Sequence, residues 1–428
     1  MQTQDIVQGL LDFIKKSPSP FHVVQNMVAI LQAAGFQRLR EEDIWNMQAV
    51  SKGRYFITRN DSSIVAFELS QDICKQGIVM LGAHTDSPCL KVKPNPEMVN
   101  HGYFQLAVEV YGGALLNPWF DRDLSLAGRV SFLDESGHVR SCLLDFEKAV
   151  AVIPSLAIHL DREANDKRAI NKQKHLPPVV MKCADKDVSF DAILLQLLHK
   201  QGESALKPVK ILAHELSFYD VQAPAITGLH DEFISSARLD NLLSCYIGLM
   251  ALLDQQALQN TLLVCNDHEE VGSMSAAGAQ GTLLKSVLSR LSGNEEGLSR
   301  MMASSSMVSV DNAHAVHPNF SDKHDANHGP LINDGPVLKI NANQRYASNS
   351  ETSALFKHCC DKAGVPVQSF VVRSDMGCGS TIGPIAASEL GVSTVDIGVP
   401  TFAMHSIREM AGCKDIDYLY RVLLQYFH

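Results

Sequence analysis

Four short apolar runs, each leading towards side chains that can bind a metal or move a proton, constrain this chain more than any other feature. IVMLGA leads into His84, TLLVCN into Asp267-His268-Glu269-Glu270, and MVSV into Asp311, while STVDIGV stops a few residues short of His405. Short uninterrupted apolar runs suit strands buried on both faces of a sheet. In open α/β sheets the site lies in the crevice beyond the carboxyl ends of the strands, so the four segments are expected to converge there.

The flanking sequence supports an α/β architecture with a mixed central sheet flanked by helices. HVVQNMVAILQAAG has helical spacing and stops at Gly35, and LDNLLSCYIGLMALLD forms a second helix from Leu239, with Asp240 at its N-terminus. RYFITR and SIVAFEL read as strands. Between Lys93 and about Glu232 the pattern changes to alternating runs, YFQLAVEVYGG, GRVSFL and HVRSCLLDF, and to polar loops such as NKQKHLPPVV. The expected organisation is one domain from 1–93 plus 233–428, with an inserted strand-rich domain at 94–232 that serves assembly or substrate access. A length of 428 residues accommodates this.

Charge narrows the function. A formal net charge of -10 and a scarcity of Lys/Arg clusters argue against nucleic acid or anionic membrane as partner. The start lacks the basic-then-apolar plan of a signal peptide, and no apolar run reaches membrane-spanning length. Ten cysteines without a CxxC pair suggest a reducing cytoplasm. HELSF has Phe218 where a zincin needs its second His, AAGAQG lacks the GxGxxG spacing, and no GxSxG elbow is present. Asp121 and Asp123 are expected in a turn salt-bridged to Arg122 or Arg129. Most histidines of DNAHAVHPNFSDKHDANHG are expected on a mobile loop, with Asp311 its ligand-type residue.

The remaining candidates form a set. His84, Asp240, Glu270, Asp311 and His405 each follow a strand or open a helix. Imidazole and carboxylate suit zinc or a similar divalent ion, and five ligands exceed one tetrahedral site, so two metals sharing a bridging carboxylate fit better. Asp86, two residues past His84, can orient the imidazole through its other N–H. Adjacent side chains diverge, so Glu269 and Glu270 can perform two separate tasks.

KSPSPFHVV, GAHTDSPCLKVKP, WFDRDLSLAGRV, ISSARLDNL, EEVGS with GAQG, DNAHAVHPN, GPVLKIN with QRYASN, GCGSTIGPI and AMHSIREM together make the chain resemble the aspartyl aminopeptidases, cytosolic di-metal exopeptidases. The resemblance runs from residue 16 to 410 and implies a di-zinc exopeptidase-like fold. It makes His84 and Asp311 ligands of one metal, Glu270 and His405 ligands of the other, and Asp240 the bridge, followed by a cis peptide to Asn241. Asp86 would orient His84, and Glu269 would be the general base. The metals would be two divalent ions per subunit, Zn2+ first, with Co2+ or Mn2+ as alternatives. Substrates would be peptides with a free N-terminal Asp or Glu, held by Lys339 and by His159 of a neighbouring subunit. The implied assembly is a homo-oligomeric dodecamer, with the insertion as its assembly domain. Competing readings are a general aminopeptidase and a di-metal amidohydrolase or deacylase. A non-catalytic assembly protein is disfavoured, because a structural metal site needs no free base such as Glu269.

Overall fold

The structure, a computed structural model, describes residues 3–45, 52–183, 188–200, 207–256 and 259–428. It divides into two compact units, one of Met1–Ser87, Pro224–Met404 and Glu409–His428, the other of Pro88–Ala223 and His405–Arg408.

The first unit is built on a nine-stranded sheet. Five of its strands matter for function: β1 (Val79–His84), β2 (Thr261–Asn266), β3 (Ser306–Val310), β4 (Val337–Lys339) and β5 (Ser393–Gly398). Strands β2, β1, β3 and β5 lie side by side and parallel, with Cys265 opposite Ala83 and Ser309 opposite both Gly82 and Asp396. Their apolar runs are continuous because both faces are covered. Leu81, Ala83, Val308 and Val395 face one core with helix α1 (Leu239–Asp254), whereas Met80, Val264 and Met307 face another with helix α2 (Ile382–Leu390). Strand β4 runs antiparallel to β5. The helix expected after SPSPF spans Pro20–Ala33, with proline in its first turn where no N–H is required. A helix at Thr3–Lys15, not anticipated from the sequence, buries Ile6, Leu10 and Ile14 at helical spacing. A smaller five-stranded sheet completes this unit.

The second unit is a six-stranded antiparallel sheet. Its strand Leu124–Asp134 alternates buried and partly exposed residues in its second half, as a sheet with one covered face does. Helix Phe190–Lys200 packs on it through Phe190, Leu194 and Leu198. HELSF lies within the strand Pro208–Asp220. The acidic turn pairs differently from the sequence expectation. Arg122 Nε donates to Asp220 Oδ2 at 2.9 Å and Arg129 Nε to Glu215 Oε2 at 2.9 Å, while Asp121 accepts the Ser155 N–H at 2.8 Å. The two arginines reach partners 98 and 86 residues away on one strand, which local sequence does not encode.

The sequence reading divides the chain at 93/94 and 232/233, and the fold divides it at 87/88 and 223/224. The reason is pairing: Cys89–Asn100 is one continuous strand, so residues 89–93 go with it, while Ala225–Thr227 pairs with Phe233–Ser236 in the first unit. Among the described residues no helix is long and apolar enough to cross a membrane.

Candidate metal centre and active site

Strand β1 delivers His84, 2 % exposed, at its carboxyl end. His84 Nδ1 lies 3.0 Å from the Asp86 backbone oxygen, and a carbonyl only accepts, so this contact requires the proton on Nδ1. The Asp86 carboxylate stands further off, at 3.4 Å. Nε2 then faces Asp240 Oδ1 and Asp311 Oδ1, each at 3.4 Å. A bare imidazole nitrogen and two carboxylate oxygens aimed at a common point repel one another unless a cation, either a proton on Nε2 or a metal ion, lies between them. A divalent ion with nitrogen and oxygen ligands suits that point, so this donor set fits a metal of the zinc type.

Helix α1 opens on a cis peptide between Asp240 and Asn241. Three contacts fix that turn: the Asp240 N–H donates to Glu409 Oε2 at 3.0 Å, Ser87 Oγ donates to the Asp240 carbonyl at 2.6 Å, and Asn241 Nδ2 donates to the Val310 carbonyl at 2.8 Å. The last ties the turn to the residue before Asp311. Glycine is required at 398 beside it, because a Cβ there would lie 1.8 Å from the Asp311 carbonyl oxygen.

Beyond β2 the chain enters a single turn of 3-10 helix, Glu269–Val271, through left-handed His268 and leaves it through Gly272. Asp86 Oδ1 accepts the Glu269 N–H and Oδ2 the Glu270 N–H, both at 3.1 Å. The Asp86 carboxylate thus anchors the glutamate turn while standing 3.4 Å from His84 Nδ1, and the Asp86 main-chain oxygen accepts the imidazole proton. His84, Glu269 and Glu270 bring ligand atoms within 4.8 Å of one another, as do His84, Asp240 and Asp311. Burial pushes the Glu269 carboxyl up to about 7; His84 pulls it down, and Asp311, Asp86 and Asp240 push it further up. Burial, then Asp240, holds Glu270 well above the usual carboxylate range.

Lys339, at the end of β4, is 2 % exposed. Its Nζ lies 3.1 Å from Asp311 Oδ2 and 5.4 Å from the centroid of the Tyr346 ring. Next to it opens a cavity of about 440 Å³ lined by His314, His317, His324, Tyr346, Phe370 and Cys378, among others. Three of the histidines assigned to a loop are thus cavity walls, and burial holds the His314 and His324 imidazoles below their ordinary range. Their signal in the sequence was the spacing of DNAHAVH, which starts at Asp311. Tyr346 was present in QRYASN without a role. In the second unit, His405 has a left-handed backbone, φ 68°, and its Nδ1 lies 3.3 Å from the Gly113 carbonyl oxygen. His159 lies on an exposed segment of the same unit.

Residues 13–428 match the family model described as aminopeptidase I zinc metalloprotease (M18). A probable M18 family aminopeptidase 2 of Ectopseudomonas mendocina is 57 % identical over 426 residues, covering 99 % of this chain and 98 % of the relative. A chain of the cryo-EM structure of the Ape4 and Nbr1 complex superposes with a TM-score of 0.95 at 38 % identity, over 99 % of this chain and 86 % of that one. The S. cerevisiae mApe1 dodecamer gives a TM-score of 0.86 at 29 % identity, over 99 % and 96 % of the two chains. With the match extending through both units, the chain belongs to the M18 family and is a zinc metallo-aminopeptidase.

Proposed function

We propose that this aminopeptidase uses two divalent ions and prefers N-terminal Asp, then Glu. His84 and Asp311 would hold one ion, Glu270 and His405 the other, and Asp240 both; Zn2+ is the first choice, with Co2+ or Mn2+ as alternatives. Such ions, when bound, lower the pKa of a water towards neutrality and polarise the scissile carbonyl. Glu269 takes that water's proton and returns it to the leaving amine, a task suited to a group titrating near neutrality. The observation that carries the reading is the double anchor from Asp86 to the Glu269 and Glu270 amides, because it fixes two neighbouring backbones and so holds both carboxyl groups beside His84, where each can do separate work.

The substrate's acidic side chain needs a local cation, because the chain as a whole carries -10. Buried Lys339 supplies one, and His159 of a neighbouring subunit a second. That assignment presumes a homo-oligomer, and likeness to the mApe1 dodecamer supports a dodecamer with the second unit as its assembly element.

Hydrolysis of Asp-, Glu- and Leu-anilides with and without chelator tests the proposal. Asp should be cleaved fastest, and the metal-stripped protein should be inactive; unimpaired activity after stripping would sink the two-ion mechanism. A preference for Leu would make the protein a general aminopeptidase. Cleavage of amides lacking a free α-amine would make it a deacylase.

A further inference from the structure

Behind Lys339 lies a carboxylate that none of the steps above uses. Asp396 on β5 is 0 % exposed. The antiparallel register pairs Val337 with Gly398 and Leu338 with Ile397. Continued by one residue it sets Lys339 opposite Asp396, and residues directly opposite point to the same face of a sheet.

Each oxygen of this carboxylate holds a different loop. Asp396 Oδ1 accepts from Thr381 Oγ1 and Oδ2 from the Ala347 N–H, both at 2.6 Å. The Asp396 N–H in turn donates to Ser348 Oγ at 2.9 Å. Ala347 follows Tyr346, and Thr381 caps helix α2 three residues after Cys378. Tyr346 and Cys378 both line the cavity beside Lys339. Gly383 permits the arrangement, because a Cβ there would sit 2.3 Å from both carboxylate oxygens.

Both carboxylate oxygens accept, and an amide, with a single acceptor oxygen and an NH2 that only donates, could keep only one of the two loops, so the site calls for a carboxylate despite the cost of burying it. Burial works against ionising this carboxyl, while Thr381, the Ala347 N–H and the charge of Lys339, opposite it in the sheet, favour the ionised form; the Lys339 ammonium itself pairs with Asp311. We propose that Asp396 is a positioning residue for substrate discrimination: it holds the Tyr346 and Cys378 walls around Lys339 and fixes where that ammonium meets an acidic side chain. The inference rests on the reading that Lys339 recognises that side chain.

The test compares kcat/KM for Asp-anilide and Leu-anilide in the metal-loaded full-length enzyme. Asp396→Asn should lower the Asp-to-Leu ratio by about tenfold, with the loss in KM for Asp-anilide and Leu-anilide turnover nearly unchanged. Gly383→Ala keeps the charge but displaces it, and should move the ratio in the same direction. Thr381→Val, which removes one donor, should do so to a lesser degree. Equal losses for both substrates with a lowered Tm would reduce Asp396 to a structural role and overturn the inference. Where Asp396→Asn fails to fold, an unchanged ratio in both Gly383→Ala and Thr381→Val would overturn it as well. A wild-type ratio near one would defeat the acidic-substrate reading and this inference with it. A wild-type preference that survives in Asp396→Asn would defeat the inference alone.

Discussion

The two units use the same charged residue types in opposite ways. In the antiparallel unit three acids each meet a cation of their own: Asp220 has Arg122, Glu215 has Arg129, and Asp134 has Arg140 at 3.1 Å. In the parallel-sheet unit, Asp86, Asp240, Asp311, Glu269 and Glu270 crowd around His84 and Lys339. The first arrangement is complete in itself. The second buries more carboxyl groups than cations; burial first, and the neighbouring carboxylates after it, push Glu269 and Glu270 up, and the cluster attracts a cation. Matched acids report on folding, and unmatched acids mark the site.

Four substitutions break or sharpen this contrast. Glu269→Gln removes the proposed general base and should cost about a thousandfold in kcat, with metal content and assembly size unchanged. Steady-state kinetics beside elemental analysis would check it, and near-normal turnover would remove Glu269 from the chemistry. Arg122→Ala strands the buried Asp220 carboxylate, 3 % exposed, and should cost about 3 kcal/mol of stability while turnover per folded subunit holds. Denaturant unfolding measures it.

The third concerns His214, whose two buried ring nitrogens have no hydrogen-bond partner among the described residues and whose ring meets Phe190 edge-on at 5.6 Å. Burial holds its imidazole below the ordinary value, against Asp191 and Glu97, which push it up. Because the folded pKa is the lower one, its contribution to stability is full above about 6.5 and is lost as pH falls towards the folded value. His214→Leu should therefore flatten the fall in Tm between pH 7 and pH 5 by about 2 °C. An unaltered slope would show that this histidine does not govern the acid response. The smallest effect belongs to Arg129→Ala: Glu215 is half exposed at 51 %, and the pair is worth about 0.5 kcal/mol, less at high salt.

Local patterns carried much of the site. Apolar runs ending on His84, Asp311 and the glutamate pair were legible because burial on both faces leaves a continuous signature and the next polar residue stands out. Asp240 was legible as the acid opening a long apolar helix. What escaped was pairing at a distance. Nothing near Arg122 announces Asp220, and nothing near Asp396 announces Ala347 or Thr381, since such bonds form only after the sheet has ordered its strands. The insertion boundary moved for the same reason, because a strand's partners decide to which sheet its first residues belong. The cavity histidines were missed since loop composition looks alike whether its side chains face solvent or a wall.

The grip of Asp86 on two consecutive amides has a practical side. It is made of protein atoms only, so the glutamate turn is held before any ion arrives. The Glu269 and Glu270 amide protons are therefore natural spectroscopic probes: their exchange with deuterium should be slow in metal-free and metal-loaded protein alike. A chemist could use them to follow the glutamate turn without substituting any residue.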